Sequence, residues 1–408
     1  MATKAVQYNI KVDLHEVKDL SFRENVGDKE IVPNPYIEVT VDGVTKATNQ
    51  KTQVVSATFN TSFNFTAFLT PDEFARSYVE VSVLHKYMII GGLGLQSAVI
   101  GKYVFSFAYI YSKSQHWIYR QWVSLRNFDH PQDAAGLLLI TVGVFGPGDA
   151  MPVVDESICV VNEGGERTSH DVNVKLTHYN LSVNIYKGQD IPAIPGQFST
   201  VLEPYVKVKH GGAELQTRSL PEANPEWFAS VGLPSCMPSF DGNVLVELWN
   251  GQPSATSAGT LMGTVVLDYF QLTRNDLPPR WFNFYWRPPT EGLLGAVTDM
   301  MMNAELRQPT SYGGRILLSA SAAKVQTPLP LGVRTARPAQ EPPTQECVWW
   351  IDVYEVTSAV GYTSDVRAEI SFGPHTLKTA ALQCNALGTY VIDDETGRLR
   401  EQRIYMPS

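Results

Sequence analysis

Four landmarks recur along this chain in the same order, about one domain length apart. "YNIKVDLHEVKDLS" is mirrored by "YNLSVNIYKGQDIP", and "NPYIEV" by "EPYVKV". Further on, "VIGKYVFSFAYI" is mirrored by "LMGTVVLDYFQL", and "YRQWVSLRNF" by "PRWFNFYWRP". An internal repeat of that length means two copies of one fold, each with its own core. Segments such as "YNIKVDLHEV", "YIEVTV", "YVEVSVLH", "YVFSFAYI" and "GLLLITVGVF" alternate apolar and polar residues between polar or Gly/Pro-bearing turns. That period of two predicts half-buried antiparallel strands, while helical periodicity is scarce. The fold class read from the pattern is all-β, with tandem antiparallel sandwiches.

The first unit is placed at residues 1–150 and the second at 176–325, joined by an acidic, glycine-bearing linker over 151–175. "PPTEGLLGAVTDMMMNAEL" interrupts the second unit as an insertion near 288–312, read as a short helix. Residues 326–346 are Pro-rich and non-periodic, and so are expected to form an extended linker. Strand patterns return over 347–408, a stretch too short for a complete sandwich of roughly 100 residues. A partial β-module leaves backbone edges unpaired, so it is expected to lean on the second unit or on another chain.

Composition removes several function classes. A formal net charge of −9 opposes nucleic-acid binding and weakens adhesion to anionic lipid. Cys159, Cys236, Cys347 and Cys384 are scattered and form no C-x-x-C pair, which reads as reduced structural thiols rather than a zinc site or disulfide frame. No apolar run reaches signal-peptide or membrane-spanning length. The expectation is a cytoplasmic, soluble protein, not secreted and without a transmembrane segment.

The repeat resembles C2 domains. "NPYIEV" and "EPYVKV" stand where that family carries "SDPYVKV", and "VIG" and "LMG" stand where it carries "LIG". Each unit opens on the strand leading into the first loop and closes on a late strand, "GLLLITVGVF" or "GRILLSAS", which resembles the type II circular order. The run from "IGKYVFSFAYIYSKSQHWIYRQWVSL" to "GPGD", and then "MGTVVLDYFQL", "YGGRILLS" and "WWIDVYEVTSAVGYTSDVRAEISFG", is similar to ferlins over nearly the whole chain. Relative to ferlins the chain reads as truncated, lacking the later C2 domains and the C-terminal membrane anchor. The resemblance implies calcium-dependent membrane fusion and repair.

A C2 calcium site draws its oxygens from five acidic positions on two facing loops. The resemblance places them at Asp28, Asn34, His85, Tyr87 and Ala98 in the first unit, and at Gln197, Glu203, Asn250, Gln252 and Thr260 in the second. Each unit keeps one carboxylate of the five. Ca²⁺ needs about 6–8 oxygen ligands, several of them charged, so both sites are expected to be degenerate and no metal or other cofactor is expected. Asp365, in "YTSDVRAEI", holds the "SDPY" aspartate position of the third segment, where no second loop can be identified.

Apolar Met88, Ile89, Ile90, Leu93 and Leu95 stand in the first unit's second loop region. Three readings remain open: a wedge entering a membrane, a protein interface, or a loop folded back on its own sandwich. Lys207, Lys209, His210 and Arg218 offer a modest basic patch for lipid headgroups, or a solvated strand face.

"GGLGLQSAVIGKY" fails as a phosphate loop because Gln96 and Tyr103 occupy the defining positions. No G-x-S-x-G or H-E-x-x-H motif occurs, so the chain reads as a non-enzyme. The leading expectation is a calcium-independent C2 scaffold or adaptor that contacts other proteins in a larger intracellular assembly, cytoskeletal or ciliary. The alternative is a peripheral phospholipid-binding protein of ferlin-like membrane trafficking. No nucleic acid or small-molecule substrate is expected.

Overall fold

The computed structural model describes residues 5–23, 31–88, 95–131, 134–152, 174–193, 202–251, 259–286, 311–352, 355–357, 369–372, 375–378, 389–391 and 398–407. The repeat in sequence is a repeat in space. The first unit is built from β1 (Val6–Lys18), β2 (Pro35–Val41), β3 (Val44–Ala47), β4 (Ala57–Leu69), β5 (Tyr78–Met88), β6 (Leu95–Ser106), β7 (Trp117–Arg126) and β8 (Ala134–Phe145). Strand order is β3-β2-β5-β6 on one face of the sandwich and β7-β8-β1-β4 on the other, with a single bridge, Lys102↔Arg126, where the two meet. The opening strand therefore lies between the closing strand and β4, the type II arrangement.

Alternation sets which side chains fill the core. In β1, Ile10, Val12 and Leu14 turn inward and are almost wholly buried. The register then shifts between Leu14 and Glu16, which brings Val17 rather than Glu16 to the core. Without that bulge an acid would sit among aliphatics, because a one-residue slip turns every side chain over.

The second unit repeats the plan with β9 (Thr177–Gln189), β10 (Pro204–His210), β11 (Ala213–Gln216), β12 (Glu226–Met237), β13 (Asn243–Asn250), β14 (Thr260–Asp268), β15 (Leu277–Trp286) and β16 (Ser311–Val325). Its sheets are ordered β11-β10-β13-β14 and β15-β16-β9-β12, and the second is extended by β17 (Gly332–Thr335) along β12. Part of the Pro-rich stretch 326–346, expected as an extended linker, is therefore an edge strand. Leu329 N–H binds Asn180 Oδ1 at 2.9 Å, Ala336 is buried, and Lys187 pairs with Glu341, so the chain on both sides of β17 is also held to this unit. The insertion near 288–312 falls mostly outside the described residues.

The glycine of "VIG" and "LMG" has a packing reason in both units. A Cβ on Gly101 would stand 2.9 Å from the Cβ atoms of Leu125 and Ala135. Gly263 adopts φ +142°, and a Cβ there would stand 2.8 Å from Tyr285 O. Both mark the bulged crossing from one sheet to the other. Short helices α1 (Pro71–Arg76), α2 (Phe107–Tyr111) and α3 (Tyr269–Leu272) complete the sandwiches, with α2 and α3 following the equivalent strands β6 and β14.

In the third segment β18 (Thr344–Asp352) pairs with β23 (Arg398–Pro407), β19 (Glu355–Thr357) with β22 (Thr389–Val391), and β20 (Glu369–Phe372) with β21 (His375–Lys378). Asp365 lies outside the described residues.

The two sandwiches exchange aromatic side chains. Phe240 of the second unit packs on the first unit's core, its ring stacked on Phe105 at 5.6 Å, while Phe128 of the first packs on the core of the second. Ser106 N–H to Phe240 O (3.0 Å), Asn243 Nδ2 to Ala75 O (2.7 Å) and Arg126 Nη2 to Cys236 O (3.2 Å) add hydrogen bonds across the seam.

Candidate functional site

At the loop end of the first unit, β2 begins at Pro35, directly opposite His85 on β5, and His85 faces Ala98 on β6. Three of the five expected calcium positions, Asn34, His85 and Ala98, are thereby brought together, with Tyr87 beside them. Their chemistry is closed inward. His85 is buried, and its Nδ1 accepts the main-chain N–H of Asn34 at 2.8 Å. That donor fixes the tautomer: the Nδ1 lone pair is engaged, and the proton of a neutral ring sits on Nε2. Asn34 Oδ1 accepts from Gln53 N–H at 2.8 Å, and its Nδ2 donates to Lys86 O at 3.2 Å. The imidazole packs between Phe22 (4.9 Å) and Tyr87 (5.5 Å), and the Tyr87 hydroxyl donates to Gln96 Oε1 at 3.0 Å. Ala98 is half-buried against the core. Asp28 lies outside the described residues.

The second unit uses the same device with a different side chain. Pro204 faces Asn250, and Asn250 faces Thr260, the register of the first unit. Asn250 is buried, and its Oδ1 accepts the main-chain N–H of Glu203 at 2.7 Å. Glu203 O in turn accepts from Gly251 N–H at 3.1 Å. Gln197 and Gln252 lie outside the described residues. In both units the side chain at the first position of the second loop caps the N–H just before the β2 or β10 proline. An N–H withdrawn from water and left without an acceptor is destabilising, so each cap ties the two loops together through a hydrogen bond of its own.

The apolar run sits on a hairpin whose strands remain paired through Met88↔Leu95. Ile89, Ile90 and Leu93 lie outside the described residues.

Of the four residues of the candidate basic patch, only Lys207 and Lys209 share a strand face. Strand alternation turns Lys207 and Lys209 outward and His210 inward, so His210 leaves the face the lysines share. Its Nδ1 donates to Asn243 O at 2.9 Å and stands 3.6 Å from Asp241 Oδ2. Burial pushes the pKa of His210 below the usual histidine range, against the opposing pull of Asp241. Lys207 Nζ stands 3.5 Å from Glu214 Oε1 and lies over the Trp249 ring. Lys209 Nζ stands 3.1 Å from Glu247 Oε1. Arg218 is exposed beyond β11. The two lysines are each matched by a glutamate, and the patch as a group of four is lost.

The seam between the units went unread in the sequence. Arg126 is its centre: half-buried as a residue, it presents Nε and Nη1 to no acceptor and to no solvent, beneath Gly211 and beside the Tyr103 ring. A cavity of about 140 Å³ beside it is lined by Asn127, His178, Cys236 and Pro328, among others. Burial also pushes the Tyr269 hydroxyl, behind His210, up to about 12. No local signal pointed to these residues, since Arg126 and Cys236 are 110 positions apart.

Comparison with known proteins places this geometry. The C2 domain family matches residues 8–125 and 179–284. Ferlin 1 of Toxoplasma gondii is 81% identical over 407 residues, covering 100% of this chain and 28% of its own length. Ferlin 2 of Tetrahymena thermophila is 21% identical, over 92% of this chain and 24% of its own length. The chain thus spans about a quarter of the length of the ferlins it matches. Among solved structures, the SMP, C2A and C2B domains of Extended-Synaptotagmin 2 cover 80% of this chain and 58% of their own, with 12% identity and a TM-score of 0.27. None of the described helices is long and apolar enough to cross a membrane. The two matched regions make up more than half of the chain, which belongs to the C2-domain family as a ferlin-like protein with two C2 units in tandem.

Proposed function

We propose that this chain is a non-catalytic, calcium-independent C2 scaffold that makes protein contacts within a larger assembly. One observation carries the reading. In both units the position that would turn a carboxylate toward calcium is occupied by a neutral group, His85 or Asn250, already bound to the main chain. Calcium would have to break that bond and then gather ligands where each unit offers one carboxylate of five positions. C2 domains bind either proteins or lipid. With Lys207 and Lys209 held by glutamates and a net charge of −9, attraction to an anionic bilayer is weak and screened within about 8 Å at physiological salt.

The second reading, a peripheral phospholipid-binding role in ferlin-like trafficking, is favoured by the apolar run beyond the Met88↔Leu95 pair. Flotation with neutral and anionic liposomes, in calcium and in chelator, separates the two. The scaffold reading expects no flotation in any arm. Flotation abolished by Leu93→Asp would establish the membrane wedge instead. Calorimetric titration with CaCl₂ is expected to show no heat of binding below the millimolar range, and micromolar affinity would overturn the calcium-independent reading.

A further inference from the structure

The two units differ in what lies along one sheet edge. In the second, the outer strand β12 carries β17 from Ala229↔Thr335 to Gly232↔Gly332, and Ala336 N–H extends the ladder to Phe228 O at 2.7 Å. The strand in the same place in the first unit is β4. Thr61 lies opposite Leu14 as Ala229 lies opposite Ile185, and Asn60 and Phe228 share a left-handed backbone, φ +46° and +43°. β4 is the last strand of its sheet, and no described strand pairs with its outer edge.

Alternate residues of an antiparallel strand turn both main-chain groups to the same side. Asn64 faces outward, because its carbonyl accepts from Lys46 Nζ at 2.6 Å. Ser62 and Thr66, two residues away on either side, face outward with it. Ser62 and Asn64 are the counterparts of Ser230 and Gly232, the residues through which β12 meets β17.

Two lysines run beside this open edge. Lys46 lies over the Phe65 ring at 4.8 Å and Lys51 over the Phe59 ring at 5.6 Å, and neither is ion-paired with a carboxylate among the described residues. The seat for the residue after the docked strand also has its counterpart. Ala336 is buried in a cluster with Tyr186, Leu317 and Trp281. Trp122 and Leu139 face each other in the first unit as Trp281 and Leu317 do in the second.

We propose that the outer edge of β4 is a docking site for an acidic, extended segment of a partner protein, which adds as an antiparallel strand along Thr61–Asn64 just as β17 adds to β12. Main-chain hydrogen bonds supply the affinity, as in other cases of strand addition, and Lys46 and Lys51 select the charge. Until the partner arrives, Lys46 guards the edge by holding the Asn64 carbonyl, since lysine on an open edge discourages indiscriminate pairing. Arriving carboxylates draw the flexible lysine stem off that carbonyl and free it for the ladder. This deepens the scaffold reading and rests on it, while the flotation result stands or falls separately.

The probe is a fluorescent synthetic peptide of residues 328–339 carrying Arg334→Glu and Arg337→Glu, titrated into the full chain and followed by anisotropy. It is expected to bind saturably, about tenfold more tightly than the unmodified basic peptide. Hydrogen exchange at residues 60–66 is expected to slow about tenfold when the peptide is saturating. Ser62→Pro, which removes one outward N–H, should abolish binding. If that variant does not fold, the double variant Lys46→Glu and Lys51→Glu should weaken the acidic peptide about tenfold and leave the backbone alone. Unchanged exchange at 60–66, equal binding of both peptides, or protection of this edge already present in the free chain would each overturn the proposal. A concentration-dependent dimer lost in Ser62→Pro would assign the edge to a second copy, and overturn it too.

Discussion

His85 and Asn250 occupy one place in two copies of the same fold, and each gives an acceptor to a main-chain N–H. The residues that surround a C2 loop end were recognisable from "NPYIEV" and "EPYVKV", but what the substitutes do there was not, because a hydrogen bond to a neighbouring loop leaves no local pattern. His85→Ala and Asn250→Ala each leave a half-buried main-chain N–H without its acceptor and are expected to lower unfolding free energy by about 1 kcal/mol in urea titrations. Asn250→Asp keeps the acceptor oxygen but buries a carboxylate beside Glu203, so it should also lose stability at neutral pH. His210 supplies a pH dependence. Its folded pKa is depressed by burial, so the unfolded chain binds the additional proton as pH falls. Stability from this group is full above the unfolded value of about 6.5 and declines as pH drops below it toward the folded value. Thermal unfolding between pH 7.5 and pH 5 should show that decline, and His210→Asn, which retains a donor for Asn243 O, should flatten it.

Among the elements, strands announced themselves where alternation was long. The quoted segments "YNIKVDLHEV", "YIEVTV" and "YVEVSVLH" lie within β1, β2 and β5 because each must bury one face, and burial writes a period of two into the sequence. The same period carried the correction at His210: in a strand, residues 207 and 209 share a face and residue 210 cannot join them. β17 was illegible for the opposite reason. Four residues inside "PLPLGVRTARP" have no periodicity to read, and they become a strand only because β12 offers an edge. Arg334 lies opposite Ser230 on that edge. Arg334→Pro removes its ladder N–H and is expected to release β17. Hydrogen exchange across residues 229–232 should then quicken, with a loss of about 1 kcal/mol in stability.

At the scale of the molecule, the seam makes one body of two repeats. Phe240 and Phe128 each complete the other unit's core, a reciprocity that no single repeat encodes and that the composition could not reveal. Calorimetric scans of the parent should show both units unfolding together. Phe240→Ala removes a ring that stacks on Phe105 and touches Tyr103 and Tyr109, and should split the transition in two. The caps at His85 and Asn250 have a further meaning for a molecule joined in this way. A loop end organised by an ion is conditional, and its shape rises and fades with the concentration of that ion. A loop end organised by its own imidazole or amide presents the same surface at rest and during a signal. On the proposed reading it is a fixture and not a receiver, and the timing of the assembly is then set by the arrival, modification or removal of what docks on it.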